Sequence, residues 1–184
     1  QFIAAAAADQ HPEARELAFL LLGEMTETVG VHLKPQFDQL AQLFNAGLSD
    51  PDAKVRNASV KALGLLMSYL ADETEIDTFA PLVRPVLAVA EACRVRHDEE
   101  VVSTTLDVLY DLSYSPSQSV GAQMSPIVRF AQICMSDSNL EVNVRDSAAL
   151  VVATMAESKP KQLGRDSALL TGIVETIFNL IENS

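Results

Sequence analysis

The sequence predicts an all-α fold, a right-handed α–α superhelix of about four repeats and nine helices. Three observations carry that prediction. Arg15, Ala18 and Leu22 recur as Arg56, Ser59 and Leu63, and again as Arg145, Ala148 and Val152: a basic residue, a small one three on, a branched apolar one seven on. A copy without the arginine, Val102, Thr105 and Leu109, falls between the last two, so the anchors Arg15, Arg56, Val102 and Arg145 lie 41, 46 and 43 residues apart. Pro35, Pro81 and Pro126 keep a separate beat of 46 and 45 residues, each early in a helix, where a missing N–H costs little. No stretch alternates with period two and no Asn-Gly or Asp-Gly turn occurs, so nothing reads as a strand.

The chain is expected to be one domain, 1–184, of stacked helix pairs, each pair an A helix followed by a B helix. The repeats fall at about 1–30, 31–71, 76–115 and 120–160, with a partial one at 165–184. The first A helix is a remnant over 2–8. The first B helix runs over 11–29, with Asp9 as N-cap, Pro12 in the first turn and Gly30 as the stop. The second pair spans 35–48 and a B helix that carries Val55-Arg56 and ends near Leu70, joined by the turn Asp50-Pro51-Asp52. The acidic segment 72–75 leads to a third A helix that starts near Phe79-Ala80-Pro81 and bends at Pro85. Its B helix covers 98–114 and is broken by Ser115-Pro116-Ser117. The fourth pair covers 120–135 and 141–157, ended by Lys159-Pro160-Lys161, and the fifth A helix starts at about Asp166. Both ends stop in apolar helical segments without the polar caps of a complete solenoid. The chain, which begins at Gln1, is therefore expected to be a piece of a longer protein.

On a helical wheel the first B helix buries Ala14, Ala18, Leu21, Leu22, Met25 and Val29. Its opposite strip is Glu13, Glu16, Leu20, Glu24 and Glu27. The aligned strips are Lys54, Asn57, Lys61, Leu65 and Ser68; Glu100, Ser103, Asp107, Asp111 and Tyr114; and Asn143, Asp146, Leu150, Thr154 and Glu157. Side by side along the inner surface, these strips would form a discontinuous acidic field that attracts Lys/Arg-rich segments. The alternative is an ordinary solvated face, with Lys54 and Lys61 bridging to neighbouring carboxylates. Arg15, Arg56 and Arg145 are expected to form a structural ladder, each reaching an Asp or a carbonyl of an A–B turn: Asp50, Asp137 or, for Arg15, Asp9.

Composition bounds the function. With 13 Lys plus Arg against 25 Asp plus Glu, the net charge of -12 argues against direct nucleic-acid binding and favours basic partners. The two cysteines, Cys93 and Cys134, stand apart in apolar helical context, which favours neither a disulfide nor zinc and mildly favours a reducing compartment. No apolar stretch is long enough to span a membrane. No phosphate-binding glycine loop, HExxH or GxSxG occurs. His11, His32 and His97 fall near helix ends in different repeats, where capping or solvation outweighs catalysis. Phe37, Phe44, Phe79 and Phe130 are expected in the core. Neither an enzyme nor a cofactor is indicated.

Several phrases resemble a known family. Asp50-Pro51-Asp52-Ala53-Lys54-Val55-Arg56-Asn57-Ala58 and Asn143-Val144-Arg145-Asp146-Ser147-Ala148 resemble the opening of the second helix of HEAT repeats. Glu157-Ser158-Lys159-Pro160-Lys161, Leu33-Lys34-Pro35-Gln36-Phe37 and Ser113-Tyr114-Ser115-Pro116 resemble phrases of the importin-β superfamily of karyopherins, closest to the importin-4 branch. Val102 departs from the pattern where an arginine is expected. The resemblance implies a nuclear import receptor that binds basic cargo such as histones or ribosomal proteins, releases it to Ran-GTP and contacts Phe-Gly nucleoporins. It would act in the cytoplasm, the nucleus and the nuclear pore, by flexing and without catalysis. The competing expectation is a non-transport HEAT scaffold, such as a phosphatase regulatory subunit or a coat or kinase-regulator segment.

Overall fold

The computed structural model describes residues 2–70, 72–114 and 118–182, apart from the side chains at 27, 29, 31, 73 and 74. The expected break at Ser115-Pro116-Ser117 lies outside the described residues. The helices are α1 (Phe2–Ala6), α2 (Pro12–Leu33), α3 (Phe37–Leu48), α4 (Ala53–Met67), α5 (Glu73–Phe79), α6 (Val83–Val95), α7 (Glu99–Tyr114), α8 (Gln118–Gly121), α9 (Met124–Ser136), α10 (Val142–Ser158), α11 (Pro160–Leu163) and α12 (Ser167–Glu182). All nine expected helices are present. The B helices are α2, α4, α7 and α10, and the A helices are α1, α3, α6, α9 and α12. The short helices α5, α8 and α11 are additional, and each leads into the A helix that follows it.

The prolines explain this splitting. Pro35 and Pro81 sit in 3-10 turns, Lys34–Gln36 and Ala80–Leu82, immediately before α3 and α6. Pro85 and Pro126 each occupy the third position of their helices, where no intrahelical N–H bond is lost. Pro85 therefore bends nothing, and the change of direction falls at the preceding 3-10 turn. Gly30 does not stop α2, which runs on to Leu33; a helical glycine costs only about 1 kcal/mol. The residue at the α2 N-cap position is His11, without a side-chain cap. Asp9 instead closes the α1–α2 turn, its Oδ1 accepting from the His11 backbone N–H at 2.8 Å. His97, just past α6, adopts φ 59°, the left-handed helix-ending conformation that glycine usually supplies.

The core is continuous along the stack. Phe37, Phe44, Phe79 and Phe130 are buried as expected. Phe44 lies 6.1 Å from Phe19 and 6.4 Å from Phe79, and Phe79 lies 5.4 Å from Phe37, so one chain of rings ties three successive hairpins. Gly47 of α3 lets this region close: a Cβ there would overlap Ser59 Oγ and the Phe19 ring. On α2 the buried face is Ala18, Phe19, Leu22, Gly23 and Thr26. Leu21 and Met25, expected inside, are 41% and 45% exposed, because they lie on the side of α2 opposite its seam with α4.

Candidate partner-binding surface

The B helices stand in one rank, α2 against α4, α4 against α7 and α7 against α10, packed more closely than the A helices are with one another. Closer spacing in one rank than in the other curves a stack, with the closer rank inside. Small residues set that spacing: a Cβ on Gly23 would come within 2.9 Å of Leu65 Cδ1 and 3.2 Å of Ala62 Cα.

The predicted strips lie at the surface of this rank. Glu13, Glu24, Glu100, Asp107, Asp146 and Glu157 are exposed, and Glu16 and Asp111 are half-buried. The side chain of Glu27 lies outside the described residues. Thr154 departs from the pattern: it is 5% exposed. Leu20, Leu65 and Leu150 are 42%, 41% and 50% exposed, so the strips alternate carboxylates with apolar side chains.

The charges are not equivalent. Lys61 Nζ donates to Glu100 Oε1 at 2.6 Å, which neutralises one member of the α7 strip. Asp107 and Asp111, one helical turn apart on α7, have no cationic partner among the described residues. Loss of surrounding water pushes the Asp107 carboxyl above the ordinary carboxylate range. The same loss, with the Asp107 charge beside it, pushes Asp111 up. The Tyr110 and Tyr114 hydroxyls meet at 2.9 Å next to this pair, with the rings edge to face at 4.9 Å. A cation brought here would gain Coulomb energy from two neighbouring carboxylates that have no cation of their own among the described residues, and its alkyl stem would find aromatic faces. Tyr110 escaped the wheel reading because it sits on the shoulder of the strip.

The arginines hold the stack. Arg15 donates from Nε to Asp50 Oδ2 at 2.7 Å and from Nη2 to Asp50 Oδ1 at 2.8 Å, a two-pronged rung between hairpins, while Nη1 reaches the Asp9 and Gln10 carbonyls. The Arg15 guanidinium holds the Asp50 carboxyl below its usual range. Arg56 turns its Nη1 to the Asp50 and Pro51 carbonyls, and the next link is made by Asn57, whose Nδ2 donates to Asp98 Oδ2 at 2.9 Å. Asp137 is not reached by Arg145. Its partner is Arg94, from the end of α6, at 2.5 Å, and Arg94 also grips Glu91. Because Val102 leaves α7 without an arginine, the rung comes from the outer rank. Arg145 itself has a buried Nε with no hydrogen-bond partner among the described residues.

Other chemistry is sparse. Cys93 and Cys134 are buried and free, and burial pushes the Cys134 thiol up to about 12. Among the described residues no three His, Cys, Asp or Glu side chains cluster as a metal site, and no helix is long and apolar enough to cross a membrane.

Residues 1–130 match the family model described as IPO5-like, TPR repeats. The chain belongs to that family, within the importin-β superfamily of karyopherins. The matching model is IPO5-like, where the sequence phrases pointed to the importin-4 branch. The repeat interval of 41 to 46 residues lies in the HEAT range rather than at the 34 of tetratricopeptide repeats. Transportin-1 of Mus musculus and of Homo sapiens is 24% identical over 172 residues, covering 93% of this chain and 19% of its own length. Kap121p bound to Ste12p shares the fold with a TM-score of 0.71 at 16% identity, over 95% of this chain and 16% of that one. Kap121p bound to RanGTP gives a TM-score of 0.68 at the same identity and coverage. The chain thus spans about one fifth of the length of the relatives it matches.

Proposed function

We propose that this karyopherin segment is part of a nuclear import receptor that binds Lys/Arg-rich segments of protein cargo, such as histones and ribosomal proteins, along the B-helix rank. The Asp107–Asp111 pair on α7 carries this reading: two carboxylates one helical turn apart at the surface, without a cationic partner among the described residues, beside two tyrosines. Glu13, Glu16, Glu24, Asp146 and Glu157 extend the field to the neighbouring helices. Glu100 contributes less, being engaged by Lys61. The cargo is released by Ran-GTP, and the parent receptor crosses the pore between cytoplasm and nucleus on Phe-Gly nucleoporins. Structures of Kap121p bound to RanGTP and to Nup53p support this partner set by kinship.

The test is calorimetric titration with a histone-tail peptide at two ionic strengths. Reversal of Glu16, Glu24, Asp107 and Asp111 to Lys removes four attractive contacts and adds repulsion. Exposed pairs contribute about 0.2–1 kcal/mol each, so affinity should fall at least about tenfold at low salt, and by less at high salt. Unchanged affinity at low salt refutes the acidic docking surface and leaves the fold untouched. Insensitivity of the parent protein's complex to Ran-GTP favours a non-transport HEAT scaffold.

A further inference from the structure

Charge alternates from helix to helix along the inner rank. α2 carries four carboxylates against one arginine, and that arginine is held by Asp50. α7 carries four carboxylates and no Lys or Arg. Between them α4 has three cations, Lys54, Arg56 and Lys61, and no carboxylate in its 15 residues. Arg56 is turned to the carbonyls of the α3–α4 turn, so the inner strip of α4 is Lys54, Asn57, Lys61, Leu65 and Ser68. Lys61 leans across the seam with α7 to Glu100. Lys54 is exposed and has no ion pair among the described residues. Leu65, on the same strip, is 41% exposed.

The spacing makes α4 a divider. Small residues bring the three helices together: a Cβ on Gly23 would come within 2.9 Å of Leu65 Cδ1, and one on Gly64 within 2.9 Å of Thr104 Cγ2. With neighbouring axes about 8–10 Å apart, the α2 and α7 strips stand roughly 16–20 Å apart. That is about two Debye lengths at physiological salt, so the two acidic strips act as separate sites. An extended chain crosses the same gap in about five or six residues. A continuous Lys/Arg run laid across the rank would have to set a cation over Lys54, where like charges repel. A neutral or acidic spacer avoids that repulsion, and an acidic one gains Lys54 as a partner.

We propose, resting on the docking surface proposed above, that this surface selects segments with two short basic clusters separated by a spacer of about five or six residues free of Lys and Arg. One cluster lies on Glu13, Glu16 and Glu24 of α2. The other lies on Asp107 and Asp111 of α7. The spacer crosses α4 over Lys54 and Leu65.

The experiment is fluorescence anisotropy of two labelled peptides with the whole chain at physiological salt. Both peptides hold the same residues: two Lys-Arg-Lys clusters and six Ser, Gly and Asp residues. In one the six separate the clusters, and in the other the six basic residues run together. Equal composition cancels non-specific attraction to the net charge of -12. The split peptide should bind at least about fivefold tighter, the scale of two displaced surface contacts worth about two- to fivefold each. Lys54→Glu should tighten the contiguous peptide and bring the ratio towards one. Circular dichroism checks the variant, and Lys54→Gln replaces it if it is not helical, with a ratio shift in the same direction. Equal affinity of the two peptides for the wild type overturns the divider and leaves the acidic docking surface standing. So does a ratio that Lys54→Glu leaves unchanged. Binding of neither peptide, even at low salt, overturns the docking surface and the divider together.

Discussion

Phe44 offers a direct measure of how strongly one hairpin depends on the next. It is 0% exposed, and its ring touches Phe19 of the preceding B helix and Phe79 of the following repeat. Truncation to Ala removes a side chain that buries roughly 150–250 Å². At about 25 cal/mol per Å² that is about 4–6 kcal/mol before relaxation, in line with the roughly 3–5 kcal/mol measured for buried Phe→Ala changes. We expect a loss of about 4 kcal/mol in urea unfolding followed by far-UV circular dichroism. A solenoid can melt in parts, so hydrogen exchange should report where the loss falls: amides of α2, α3, α4 and α6 lose protection, and those of α10 keep theirs. The cycle of Phe19→Ala with Phe44→Ala should add a coupling of about 0.5–1.5 kcal/mol from the ring pair. A total loss below about 1 kcal/mol, or protection falling equally in α10 and α2, would refute nearest-neighbour coupling through this ring chain.

Four further outcomes are expected. Gly47→Ala should cost roughly 1–3 kcal/mol in the same urea assay, because the new methyl has to displace Ser59 and the Phe19 ring. The stability conferred by Asp50, whose carboxyl Arg15 holds low, is complete above the ordinary carboxylate range near pH 4 and is lost as pH falls through the folded value. Asp50→Asn should therefore destabilise at neutral pH and flatten the acid limb of the stability–pH curve. Asp107 and Asp111 run the opposite way: their raised values favour folding when protonated, and that contribution disappears as pH rises through the folded value. Asp107→Asn should raise the thermal midpoint at neutral pH, and carboxyl NMR titrations of the wild type should shift to lower pH when a Lys/Arg-rich peptide is added.

The parts of this structure legible in the sequence are those that repeat. Arg15, Arg56, Val102 and Arg145 mark the four B helices, and Pro35, Pro81 and Pro126 mark three A helices, so two independent beats account for seven of the nine expected helices, and the first and last A helices follow by continuing the order. One-turn helices such as α8 and α11 are shorter than one period of a hydrophobic pattern and leave no such mark. The wheel placed Glu24 and Asp107 at the surface because helical spacing alone decides that. It placed Leu21 and Met25 inside because spacing cannot say whether a neighbour stands against a given flank. Lys61 was legible as a bridge to a carboxylate, and Glu100 is that carboxylate. The Arg94–Asp137 rung was hidden because Arg94 lies at the end of an A helix, outside the recurring motif, and Asp137 was assigned to the arginine that does repeat. What distinguishes Asp107 from Glu100 is the tertiary partner that Lys61 gives to Glu100, and a tertiary partner is not a property of local sequence.

Val102 has a mechanical consequence. Elsewhere a guanidinium or an amide from the inner rank crosses to the next turn, close to the axis about which the stack would bend. Between the third and fourth hairpins the guanidinium strap is Arg94, anchored on the far rank, and the inner rank adds one tie, the Glu141 backbone N–H donating to the Glu99 carboxylate. A strap at the larger radius resists splaying of the outer side with the longer lever arm, while the inner side, among the described residues, has apolar contact and that one hydrogen bond to yield. Torque on the arc should concentrate at this joint, which makes α7, the helix that carries Asp107 and Asp111, the edge of a pivot.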